Sequence, residues 1–244
     1  MRTVRSILCQ VIQRLIPVFL FTSALSTLHA QYYDRPEYEP TRARFLSGGF
    51  VDRDFTPWSS NTSPDSIAIR YNRIMPMIGF RQGMVDLAFG YAQFTLHGRS
   101  RSTIFFGVTV SNDLPLTHRS SASLVLPLML SADYTKAQSA GAQREDFNIA
   151  SLGVGAGLKF RYNTRSVDFA VQAVEVAHLS TEGFSAGTGF SAATVGEAVL
   201  ILRETLVFDG VALGYRFRLQ TWSMNESRFD YRSVSHGPFV GVLF

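Results

Sequence analysis

From Ser151 to Tyr162 the chain reads SLGVGAGLKFRY, with Leu152, Val154, Ala156, Leu158, Phe160 and Tyr162 on one parity and Gly153, Gly155, Gly157, Lys159 and Arg161 on the other. A period of two sustained over this length marks an extended strand whose faces meet different surroundings. The pattern recurs. Val85, Leu87, Phe89 and Tyr91 oppose Asp86, Ala88 and Gly90; Ile104, Phe106, Val108 and Val110 oppose Phe105, Gly107 and Thr109. Leu124, Leu126, Leu128 and Leu130 form another apolar row, as do Val211, Leu213, Tyr215, Phe217 and Leu219 against Gly214, Arg216, Arg218 and Gln220. A soluble sandwich alternates too, but its outward parity carries Lys, Glu and Thr. Here the second parity is Gly, Ala and Ser with isolated charges, which suits a narrow barrel interior and leaves the apolar parity to face lipid.

Composition agrees with that reading. The chain is 46% hydrophobic and 17% charged, with 20 Phe, 9 Tyr and 19 Gly, which excludes a disordered chain. Beyond residue 30 the longest apolar run is Leu124 to Leu130, far short of the roughly 18–20 residues of a membrane helix. Strands are therefore the only means by which this chain spans a bilayer.

Residues 1–30 read as a secretory signal. Arg2, Arg5 and Arg14 precede the apolar run Leu15 to Leu25, and Leu28-His29-Ala30 places cleavage between Ala30 and Gln31. The whole chain carries 23 basic and 19 acidic residues, a formal +4. The signal holds three of those cations and no acid, so the remainder is close to neutral and gives no basis for nucleic-acid binding. Cys9, the single cysteine, leaves with the signal, which removes disulfide and thiol chemistry. Residues 31–41 are a polar, Pro-containing lead-in on the periplasmic side, with a lumen plug as the alternative.

The joints set the strand count. Arg81-Gln82-Gly83, Asn163-Thr164-Arg165 and Phe208-Asp209-Gly210 are very short and suit tight hairpins, and Asn112 to Arg119 is intermediate. They alternate with the longer polar stretches Thr56 to Asp65, Leu96 to Arg101, Thr135 to Asp146, Ser180 to Gly189 and Ser223 to Arg232. Nine strands follow, at 66–80, 84–95, 102–111, 121–133, 149–162, 166–178, 192–207, 211–222 and 234–244. Phase slips near Asn72-Arg73 and Ala173-Val174 call for β-bulges. Closure of a single-chain bacterial barrel with an even number of strands adds a tenth at 42–52. The expected fold is thus an all-β, closed antiparallel transmembrane barrel over 42–244, with ten strands; eight is the alternative if 192–207 is not a strand.

The carboxyl end carries the most specific local motif. Pro238, Val240 and Val242 alternate toward Phe244. This resembles the last strand of small bacterial outer-membrane β-barrel proteins, an architectural family whose members differ in activity. The resemblance implies a bacterial outer-membrane location, lipid around the barrel, and recognition of Val240, Val242 and Phe244 by the barrel-insertion machinery.

Inward parity assigns Arg70, Arg73, Asp86, Lys159, Arg161, Asp168, Glu175, Glu197, Arg203, Arg216 and Arg218 to the lumen. Opposite signs on neighbouring strands predict a salt-bridge network that fills a small barrel; a narrow channel with an Arg-lined, charge-selective lumen is the alternative. Outward Phe80, Tyr162, Phe208 and Phe244 near the short turns, with Tyr91, Tyr134 and Phe190 nearer the loops, read as interfacial girdles.

Catalytic signals are thin. His97, His118, His178 and His236 lie on separate segments without metal-ligand spacing, and GVGAGLKF is strand alternation and not a phosphate loop. The nearest approach to a hydrolytic set is His97 or His178 with Ser180 and Glu182, the basis of a lipid-modifying or proteolytic alternative. The expectation is a non-enzymatic barrel with no cofactor or metal, acting structurally, in adhesion or through outer-loop contacts.

Overall fold

The computed structural model describes residues 44–58, 68–119, 121–139, 146–182, 187–203, 209–225 and 230–244. Residues 1–30, read above as a signal with its Ala30–Gln31 junction, residues 31–41, read as a lead-in, and Phe208 lie outside the described residues.

Ten strands form in chain order: β1 (Arg44–Pro57), β2 (Tyr71–Gln82), β3 (Val85–Leu96), β4 (Arg99–Arg119), β5 (Ala122–Ala137), β6 (Phe147–Asn163), β7 (Val167–Glu182), β8 (Thr188–Arg203), β9 (Gly210–Met224) and β10 (Tyr231–Leu243). Each pairs antiparallel with its chain neighbours, and β1 pairs with β10 from Phe45↔Leu243 to Pro57↔Tyr231, which closes the barrel. The tenth strand expected at 42–52 is β1. The eight-strand alternative fails because Thr188–Arg203 pairs fully with β7 and β9.

The strands run longer than their apolar cores. The strand expected at 102–111 spans Arg99 to Arg119, and the joint expected at 112–119 is part of it, bent by a bulge between Pro115 and Thr117. The loop expected at 96–101 is a two-residue hairpin. His97 (φ 50°) and Gly98 (φ 73°) both take left-handed backbone, the geometry whose twist matches the flanking strands. The bulges expected near Asn72-Arg73 and Ala173-Val174 do not form; β1–β2 and β7–β8 registers pass through both places without a shift.

Inward residues fill the barrel in layers, because ten tilted strands enclose a bore that side chains can pack. We call the end holding Arg44 and Phe244 the terminal end and the other the loop end. At the terminal end Phe45, Val199, Ala212, Phe239 and Leu243 cluster. Midway, Val51, Met75, Ala92 and Phe105 pack on one side, and Met129, Val174, Val176 and Ala193 on the other. At the loop end Phe55, Ile69, Tyr71, Phe94, Leu96, Phe147, Ile149, Trp222 and Tyr231 form a buried cap. Its rings interlock: Phe55 lies 4.8 Å from Tyr231 and 5.3 Å from Tyr71 in stacked geometry, and Phe147 meets Trp222 edge-on at 5.1 Å. Outward rows carry exposed Leu46, Phe50, Ile78, Phe89, Phe106, Leu152, Val154, Leu158, Leu213 and Val240, an apolar belt around the wall.

Candidate functional site: the lumen

Between the apolar clusters the lumen is crossed by ionic groups held on rigid strands. Asp86 on β3 and Glu197 on β8 stand five strands apart in the ring, on opposite walls. Two guanidiniums join them. Arg81 Nη2 donates to both Glu197 oxygens at 2.8 Å and also to Asp86, with Arg81 Nε 3.0 Å from Asp86 Oδ2. Arg216 Nε donates to Glu197 at 2.9 Å, and its Nη2 lies 3.3 Å from Asp86. Two cations and two carboxylates thus form a bolt across the bore. Arg81 also lies over the Phe45 ring at 5.1 Å and Arg216 over Phe239 at 4.5 Å, so the bolt rests on the terminal apolar cluster.

Smaller pairs flank it. Asp113 on β4 receives Lys159 at 3.0 Å and Arg161 at 2.6 Å from β6, and Arg203 pairs with Asp168 across β7–β8. Nearer the middle, Asp133 on β5 accepts Arg218 Nη2 at 2.7 Å and Gln220 Nε2 at 3.2 Å, and His178 Nε2 lies 3.3 Å away. Ser180 Oγ hydrogen-bonds Ser151 Oγ at 2.9 Å and Ser191 Oγ at 3.0 Å. Gly153 makes room for this group, since a Cβ there would sit 2.5 Å from His178 Cδ2. Above it Arg53, 3% exposed, donates to Ser233 at 3.1 Å and Thr135 at 3.4 Å and lies over Phe105 and Phe55.

Of the expected lumen residues, Asp86, Lys159, Arg161, Asp168, Glu197, Arg203, Arg216 and Arg218 meet partners inside. Three do not. Glu175 points outward in the row Phe169, Val171, Ala173, Glu175, Ala177 and Leu179; without a bulge in β7, the inward places go to Val174 and Val176 against Met129. Its hydrogen bond comes from outward Thr194 at 2.8 Å. Arg70 precedes β2 and is exposed. Arg73 keeps inward parity but is exposed, bonds the Asn72 carbonyl at 3.4 Å, and has no ion pair among the described residues.

Arg53, Arg81, Asp113 and Asp133 are the lumen residues that sequence reading missed. All four lie at or beyond the strand ends assigned from apolar alternation, and extending the same parity by a few residues finds each of them. His178 and Ser180, considered for hydrolysis, do come together with an acid, Asp133. The His178 and Asp133 side chains are fully buried, and Ser180 is held by two other serines. Among the described residues no three His, Cys, Asp or Glu side chains are grouped to hold a metal ion. Of the aromatics expected to face outward, Phe80 and Phe244 stack at 6.5 Å across the terminal rim and Tyr91, Tyr162 and Phe190 are exposed.

No protein-family model matches the sequence, and no curated protein matches it. Solved structures of similar shape are outer-membrane barrels. The outer membrane protease OmpT from Escherichia coli is 8% identical, with 86% of this chain and 99% of that one covered at a TM-score of 0.33. The translocator domain of the autotransporter NalP from Neisseria meningitidis is 13% identical, covering 91% and 97% at 0.35. The β domain of the Bordetella autotransporter BrkA is 13% identical, covering 83% and 100% at 0.35. Likenesses at this level carry nothing about activity.

Proposed function

We propose that the chain is a bacterial outer-membrane barrel with a side-chain-filled lumen, a non-enzymatic scaffold that acts structurally and through the connections at its loop end. The observation that carries this is the bolt joining Asp86 and Glu197 from opposite walls through Arg81 and Arg216. An Arg-lined selective channel needs cations that face passing ions, whereas Arg161, Arg216 and Arg218 are each spent on a carboxylate. The aromatic cap is a second barrier in series. A hydrolytic role for His178 and Ser180 would need substrate to reach side chains sealed between these two barriers.

In this reading the exposed rows meet outer-membrane lipid, and the outward row of Val240 and Val242 on β10, continued by Phe244 just past its end, is the face offered to the insertion machinery. The test is conductance. Purified protein in planar bilayers is expected to show no steady current, and stepwise conductance at the level of an open porin overturns the closed-lumen reading.

A further inference from the structure

Glu175 is a carboxylate in the middle of an apolar wall. Its outward row on β7 has Phe169, Val171 and Ala173 on one side of it and Ala177 and Leu179 on the other, and Val154 and Leu158 stand exposed on β6 beside it. Thr194 on β8 donates to Glu175 Oε1 at 2.8 Å, and Oε2 has no hydrogen-bond partner among the described residues. A second polar pair shares this outward face. Tyr215 on β9 is exposed, and its hydroxyl lies 2.8 Å from His236 Nδ1 on β10. With the imidazole N–H donating to the phenol oxygen, the phenol O–H is left without an acceptor. An unmet acceptor and an unmet donor thus face outward at belt depth, where a polar group on lipid is unfavourable.

The two pairs stand on either side of Gly196 on β8. The register sets Gly196 between Phe217 on β9 and Ala173 on β7. Tyr215 is one outward position toward the terminal end from Phe217, and Glu175 is one outward position toward the loop end from Ala173. Strand tilt brings these diagonal positions to similar depth. The ladder row from Gly48 passes Val240, Leu213, Leu200, Phe169 and Tyr162 and reaches Ala122, the first residue of β5, so rows descend toward the terminal end in that direction. From Tyr215 to Glu175 the path climbs four residues, about 10 Å along the barrel axis at a tilt near 40°, and descends two ladder steps, about 6 Å. The wall between them is low, because outward Ala173, Ala192, Gly196 and Ala198 carry nothing beyond Cβ and let a second wall approach closely.

We propose that two copies of this chain pair side by side through this face, about a two-fold axis along the bilayer normal that passes beside Gly196. Such an axis keeps depth and exchanges left for right, so a donor on one side of Gly196 meets an acceptor from the other side. Tyr215 of each copy donates to the partner's Glu175, whose other oxygen Thr194 already holds, and His236 donates to the phenol from behind. The contact is made twice and closes at two copies. In a lone barrel the same donor and acceptor face acyl chains. The proposal rests on the reading that the apolar belt spans a bilayer.

A residue on the axis meets its own copy, which gives the test. The full-length chain carrying Cys9→Ser and Gly196→Cys is placed in phosphatidylcholine vesicles and mildly oxidised. A Cβ at Gly196 meets nothing closer than 3.6 Å, so the wall accepts the substitution. More than about half of this protein is expected to run as a disulfide-linked dimer, and Phe89→Cys, five strands round the ring on β3, to give less than about a tenth of that yield. Energy transfer between labelled copies, followed as they are diluted in lipid, is expected to show Tyr215→Phe and Glu175→Gln each weakening association about tenfold, the scale of one hydrogen bond to a charged group. Monomers at every dilution, equal cross-linking from positions 196 and 89, or wild-type association of Tyr215→Phe overturns the proposal. A chain that does not float with vesicles overturns the bilayer reading itself, whereas a floating monomer overturns only the pairing.

Discussion

Glu197→Ala tests whether the bolt is dry. The carboxylate accepts Arg81 Nη2 at 2.8 Å on both oxygens and Arg216 Nε at 2.9 Å, and its side chain is 8% exposed. Removing it leaves two guanidiniums to share Asp86. Breaking a buried pair by deleting one partner costs about 3–5 kcal/mol because the other charge stays behind uncompensated. Arg81 and Arg216 keep 23% and 22% exposure and retain Asp86, so the expected loss is smaller, about 2–3 kcal/mol. The assay is urea unfolding in lipid vesicles, followed by the fluorescence of Trp222, which is fully buried in the distant cap. Adding Arg216→Ala removes one stranded cation, so the double variant is expected to be more stable than the sum of the singles by about 1 kcal/mol. A loss under about 0.5 kcal/mol with additive singles would show water screening the charges, and the plugged lumen would fall with it.

Three further outcomes follow from the same geometry. Arg81→Ala with Arg216→Ala is expected to leave bilayers non-conducting while the cap stands, and adding Phe55→Ala and Trp222→Ala to open a steady current; conduction from the first pair alone would show that the cap is no barrier. Glu175→Leu is expected to stabilise a lone barrel by about 1 kcal/mol in unfolding from vesicles that hold one chain each, since a carboxylate on the lipid face is unfavourable there; a loss of stability would show that the Thr194 contact outweighs the cost. Gly153→Ala is expected to cost about 1–3 kcal/mol, because the new methyl meets both the Ala177 backbone carbonyl and the His178 ring inside a packed lumen. Unchanged stability in the same assay would mean that the β6–β7 backbone and the ring both shift without cost.

The alternation rows settled most of the wall in advance, because a strand of period two shows both its faces in the sequence. Leu152 to Tyr162 and Val211 to Leu219 are outward rows in the structure as in the text. Even parity led to β1, whose own pattern is weak: Gly48 and Gly49 dilute it, and Phe45 and Phe55 turn inward to pack the lumen. Alternation is weakest at strand ends, where polar residues face either lumen or loop. Arg53, Arg81 and Asp113 therefore went unread, although they hold much of the network. Glu175 misled for the opposite reason. A charge in an apolar row looks like an error of phase that a bulge would correct, but the β7–β8 ladder has none.

The sequence by itself determined an all-β chain without a long apolar helix, the outward and inward faces of most strands, and an even count. Those properties are local, carried by runs of a dozen residues each. Only the tertiary structure decided which charges meet. Asp86 and Glu197 are 111 positions apart in the chain and on opposite walls. Parity says that both point inward, but closure and shear of the ring alone bring Arg81 and Arg216 between them. The β2–β3 ladder, which runs only from Gln82↔Val85 to Met77↔Gly90, is likewise a property of the ring: Pro76 marks where a ladder can stop, and only the register shows that on this edge it does.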